Sequence, residues 1–100
     1  MSEKTDHEVE ALRFKLIVSR GESEAELKTR YAPGSFGCHE AMHMASALTS
    51  AVSRELLEHG AVLAKPEWFA LANRAADALN DLHQAIAAVH MDPVTKGRSA

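Results

Sequence analysis

Two long stretches of this chain carry apolar residues at three- and four-residue intervals, with polar residues filling the positions between. In the first, Ala41, Met44, Ala45, Leu48, Ala51, Val52, Leu56 and His59 gather into one stripe about 140° wide at roughly 100° per residue. Ser35 stands where an N-cap is needed and Gly60 where a helix stops, so the pattern predicts a helix over about 36–59. In the second, Trp68, Leu71, Ala72, Ala75, Leu79, Leu82, Ile86 and Val89 oppose Asn73, Asp77, Asn80, Asp81 and Gln84. Pro66 suits a first helical turn, where its missing N–H costs nothing, and Asp92-Pro93 ends the run, so this helix is expected over about 66–91. The link from Ala61 to Lys65 is short, which makes the two helices an antiparallel hairpin.

The amino-terminal third is less uniform. Thr5 and Glu8 have capping-box spacing and Gly21 closes the segment, which argues for helix. Leu12, Phe14, Leu16 and Val18 nevertheless alternate with Arg13 and Lys15 as a strand would, and Ile17 and Val18 are β-branched. The capping signals favour helix. Ser23 and Glu26 form a second capping pair, so a short helix is expected from Glu24 to Tyr31, ended by Ala32-Pro33-Gly34. The expected fold is all-α: one helical domain over 1–93 and a polar, aperiodic, disordered tail over 94–100.

Composition makes that core thin. Of 100 residues 46% are apolar but only 5% aromatic, so the interior must be built from Ala, Leu, Val and Met, which bury less area than rings. A chain of this length buries only about 60 to 70 per cent of its unfolded surface, and two alanine-rich stripes cannot cover each other fully. The amino-terminal segment or a second chain must complete the core, and homo-oligomerisation is the expectation. A net charge of −3 with no basic run excludes the footprint of a nucleic-acid polymer or an anionic membrane surface. No apolar run reaches the roughly 18 residues of a membrane span, and the polar start differs from a signal peptide, so a cytoplasmic location is expected. The single Cys38 fits a reducing compartment.

Three groups of residues invite chemistry. His39-Glu40-Ala41-Met42-His43 places two histidines one helical turn apart with a Glu between, and there the sequence resembles a zincin metallopeptidase. The resemblance implies zinc on His39 and His43 with Glu40 as base. On the predicted wheel, however, both histidines lie about 160° and 200° from the centre of the apolar stripe, so they face solvent rather than a cleft. Two histidines on a polar face, or a metal site shared with a partner chain, account for that placement better than a peptidase does. Glu40 and His43 also have the carboxylate-histidine spacing of di-iron bundles, with Glu8 or Glu10 as further ligands if a dimer supplied the other half. Zinc or iron is therefore the alternative to a chain without a cofactor. The second group is Ser35, Gly37 and Cys38 at a helix amino terminus, where backbone N–H groups can hold a small anion. The third is Cys38 alone, a thiol in a first turn beside His39, more ordinarily a small buried apolar residue, here at the edge of the apolar stripe.

The span from Gly37 to Ala88 resembles a group of short bacterial and phage-associated helical proteins through its His-Glu-Ala helix, its Pro-Glu-Trp turn and the ending from Ala78 to Ile86. Phe69 to Ala87, closing on Ala85-Ile86-Ala87, is similar to the second helix of the hairpin domain in phage proteins that sequester cyclic-nucleotide immune signals. That likeness implies small hairpins assembled into oligomers, with ligand held between chains. The expected function is non-enzymatic: a helical module that homo-oligomerises and binds a protein partner or a small anionic ligand.

Overall fold

A computed structural model of the chain describes residues 4–91. Every regular element among them is helical, so the chain is all-α. The tail expected over 94–100 lies outside the described residues. The chain divides into two compact units, Met1–Ala32 and Pro33–Ala100, with the boundary in the Ala-Pro-Gly breaker.

In the first unit, α1 spans Asp6–Ser19 and α2 spans Glu24–Arg30. The caps decide the ambiguous segment. Glu8 N–H donates to the Thr5 hydroxyl at 3.1 Å, and Thr5 N–H donates to the Glu8 carboxylate at 2.8 Å. At the other end Gly21 takes a positive φ of 72°, letting its N–H return to the Val18 carbonyl at 2.9 Å. The alternating pattern of Leu12 to Val18 has no strand to pair with among the described residues, and those side chains remain largely exposed while Ile17 is buried. Ser23 and Glu26 repeat the capping box on α2. Arg13 pairs with Glu10 within α1 at 2.6 Å and joins α1 to α2 through Glu24 at 2.8 Å.

In the second unit, α3 spans Phe36–Val52 and passes into a π-helical turn, Ser53–Leu57. The helix expected to reach 59 therefore stops at Leu57. His59 turns extended and its Nδ1 accepts the Ala61 N–H at 3.0 Å, capping a short α4, Gly60–Leu63. Gly60 thus opens a helix instead of ending one. The last helix, α5, spans Pro66–His90 with Pro66 in its first turn.

Helix α3 packs against α5, but through different faces from those the largest residues suggest. The buried apolar residues of this unit are Met42, Ala45, Ala72 and Ala76. Cys38, Thr49, Val52, Leu79, His83 and Ile86 are half-buried around them, and His90 is buried with 5% exposure. Leu71 at 58% and Leu82 at 50% exposure, with Met44, Leu48 and Val89, face outward. The inner faces are rotated by roughly 60° relative to the centres of the expected stripes, with which they share Ala45, Val52, Ala72, Leu79 and Ile86. Alanines at 45, 72 and 76 permit close approach of the backbones, and the polar groups drawn inward find partners there.

Candidate functional site

The polar groups that meet between α3 and α5 are mainly histidines. The loop before α3 is shaped by Gly34, whose φ of 90° belongs to the left-handed region that favours glycine. That conformation aims the Gly34 N–H at Nδ1 of His90, 2.9 Å away at the end of α5. On its other side, Nε2 of His90 lies 3.3 Å from Nδ1 of His39. One turn on, the His43 ring meets His39 edge-on, with centroids 4.4 Å apart. Farther along, His83 donates from Nδ1 to the Met42 carbonyl at 3.1 Å.

The bond from Gly34 fixes the protons on this chain of rings. An N–H donor requires a lone pair on Nδ1 of His90, so the neutral ring carries its proton on Nε2. That proton is donated to Nδ1 of His39, which places the His39 proton on its own Nε2. The direction runs from the loop, through the buried ring, to the exposed one.

This order bears directly on metal chemistry. Two imidazole nitrogens 3.3 Å apart have the separation expected of neighbouring ligands on a tetrahedral ion with bonds near about 2 Å. Ligation there would need lone pairs on both Nε2 of His90 and Nδ1 of His39. The His90 proton would move to Nδ1, against the Gly34 N–H. Metal binding to His39 therefore competes with the loop contact. Among the described residues no three of the His, Cys, Asp and Glu side chains are grouped to hold a metal ion.

Of the residues the sequence singled out, His39, Glu40 and His43 are all exposed on α3, and His39 and His43 touch. The Ser35 hydroxyl accepts the Cys38 N–H at 3.1 Å, so one donor that an anion would use already has a partner. Gly37 and Cys38 are half-buried, and Cys38 is a free thiol. Sequence reasoning places His83 and His90 as boundary residues flanking the second stripe and misses the contacts that His90 makes. The available signal was its spacing of four residues from Ile86 and seven from His83 on one face of α5.

In the first unit, capping contacts and ion pairs act on several ionisable groups. Backbone and hydroxyl hydrogen bonds from Thr5 and Ser23 hold the Glu8 and Glu26 carboxyls below their ordinary range. Hydrogen bonds to Glu10 and Glu24 raise the Arg13 guanidinium. No helix among the described residues is long and apolar enough to cross a membrane. The protein-family models, curated proteins and solved structures compared with the chain give no match.

Proposed function

We propose that this chain is a non-catalytic helical module that assembles with copies of itself and binds a protein partner or a small anionic ligand at the assembled surface. Within one copy, α3 and α5 form an antiparallel hairpin. The contacts of His39 with His90 and of Met42 with His83 support that direction, since a later residue on α3 meets an earlier one on α5.

The observation that carries the proposal is the inversion of size across the hairpin. Its buried apolar residues are Met42 and three alanines, while Leu48, Leu71, Leu82 and Val89 lie outside. Burying a leucine side chain contributes about 1.5–3 kcal/mol, so most of the hairpin's unused hydrophobic stabilisation lies on its outer surface. Sedimentation velocity on the full chain tests this directly. The expected result is an oligomer at micromolar concentration, and a stable monomer there would refute it. For the ligand, cyclic di- and trinucleotides are the first probes, following the resemblance to phage sponge proteins. One bound at about 100 times its dissociation constant adds roughly 2.7 kcal/mol and raises the melting temperature. No shift across such a panel removes the nucleotide-signal ligand while leaving assembly intact.

A second function, metal binding through His39 and His43, is favoured by the contact of their exposed rings. It predicts zinc or iron in protein purified without an affinity tag, lost in His43→Ala. Metal-free protein with no response to added zinc excludes it.

A further inference from the structure

Helix α5 carries two heptad-spaced stripes. The inner one runs through Ala72, Ala76, Leu79, His83, Ile86 and His90, buried or half-buried against α3. One residue before each member lies an outer stripe: Leu71, Ala75, Ala78, Leu82, Ala85 and Val89, all apolar and all exposed. Spacings alternating four and three over this length are those of a coiled-coil seam. On α3, Ala41, Met44 and Leu48 likewise precede Met42, Ala45 and Thr49 of the inner face by one residue, and all three are exposed.

This common offset has a geometric consequence. A step back of one residue rotates each helix by about 100° in the same sense about its own direction. Because the helices run in opposite directions and their inner faces meet, those rotations bring both outer stripes to the same side of the hairpin. The result is one continuous apolar face.

We infer that a second copy of this chain covers that face, with α5 antiparallel to α5 of the other copy about a two-fold axis passing close to Ala78 and Leu48. The inference rests on the assembly proposed above and specifies its geometry. In this register Leu71 meets Ala85 of the second copy, Ala75 meets Leu82, Trp68 meets Val89, and Ala78 meets itself. Nearly every layer pairs a large residue with a smaller one, which interdigitates evenly. A parallel, in-register pair would set Leu on Leu and Ala on Ala, alternating bulges with gaps. Charge points the same way. Arg74 and Asp81, both exposed, border the outer stripe on the side away from α3. Antiparallel pairing sets Arg74 against Asp81 of the second copy, twice by symmetry, whereas a parallel pair gives Arg74 no acid opposite. From the contacts of Met42 with His83 and His39 with His90, Leu48 lies at about the height of Ala78. The same axis therefore brings Leu48 onto its own copy, closing a four-helix bundle.

The test uses the full chain with Cys38→Ser to remove the native thiol. Ala78→Cys and Leu48→Cys, each next to the axis, are expected to form a disulfide with themselves under mild oxidation, within the Cβ separation of about 3.5–4.5 Å that a disulfide needs. Val89→Cys, far from the axis, is expected to remain unlinked. In sedimentation velocity Ala78→Glu should give a helical monomer, and Arg74→Asp should weaken dimerisation about three- to tenfold, with Arg74→Asp/Asp81→Arg restoring it. The charge swap lies outside the core and keeps the test decisive if Ala78→Glu fails to fold. Self-linking of Val89→Cys as fast as Ala78→Cys overturns the antiparallel register. An oligomer in which Ala78→Cys stays unlinked and the charge swap restores nothing overturns this interface but leaves assembly standing. A wild-type monomer at about 100 µM overturns both and leaves the face to a different protein.

Discussion

Replacing His90 by alanine tests the directed chain of histidines most sharply. The side chain is 5% exposed, accepts the Gly34 N–H and donates to His39, so truncation removes at least these two hydrogen bonds and leaves a cavity. Each bond contributes about 0.5–1.5 kcal/mol and the lost packing adds a comparable amount, giving a destabilisation of about 2–4 kcal/mol. His39→Ala removes one of these bonds from an exposed position, and about 0.5–1.5 kcal/mol is expected. In the double variant the shared bond is counted once, so the two effects fall short of additivity by about 0.5–1.5 kcal/mol. Urea unfolding followed by the fluorescence of Trp68, the only tryptophan and a residue of α5, reports the unit in which the chain lies. Nitrogen NMR of the imidazoles supplies an independent readout, with His90 expected to carry its proton on Nε2. The reasoning fails if His90→Ala costs no more than His39→Ala, or if the His90 proton resides on Nδ1.

Gly34→Ala meets no atom within 4 Å of the added Cβ, so its cost is that of a left-handed backbone alone, about 1–2 kcal/mol in the same urea experiment. Thr5→Ala or Ser23→Ala should each cost about 1 kcal/mol of helix stability, read as lost ellipticity at 222 nm. The Glu8 and Glu26 carboxyls are held below their ordinary value near 4.5. Their contribution is complete above that value and disappears as pH falls through the lower folded one, so an acid titration should lose amino-terminal helix in that window, and the Glu8→Gln/Glu26→Gln chain, which has no carboxylate to protonate there, should lack the step. If His39 and His43 take up zinc, His90→Ala should tighten it about fivefold by calorimetry, because His39 no longer surrenders a hydrogen bond of about 1 kcal/mol to bind it.

The element boundaries were legible where they depended on local chemistry. Thr5 with Glu8, Ser23 with Glu26, Ser35 and Pro66 each mark a helix start, because a cap is decided by residues within one turn. The end of the long third helix was not legible. The π-helical turn at Ser53–Leu57 and the capping ring of His59 replace the stop expected from Gly60. The inner face was legible in part: Ala45, Val52, Ala72, Leu79 and Ile86 of the expected stripes lie inward, while Leu48, Leu71, Leu82 and Val89 do not. Periodicity ranks faces by hydrophobicity and assigns the richest stripe to the interior, but α3 and α5 meet through alanines and histidines, which admit close approach and hydrogen bonds between helices. The metal motif was visible and its limit was not, because the Gly34 N–H that fixes the tautomer lies 56 residues from His90.

The two stripes on each long helix therefore carry different kinds of information. A seam of alanines with His83 and His90 adds little hydrophobic energy per residue, but a one-residue slip would separate the histidine bonds and bury polar groups without partners, at about 1–3 kcal/mol each. It sets register within the chain. The outer seam has the opposite properties: few polar groups, larger side chains, and a size pattern that matches itself only when reversed. It can supply association energy without disturbing the inner register. Because the histidine chain emerges on the flank of α3 away from the outer seam, assembly through that seam leaves His39 and His43 accessible. A ligand or metal ion at the histidines and a second copy on the apolar face can then be bound together, and dimer-disrupting Ala78→Glu should leave the response to added zinc unchanged.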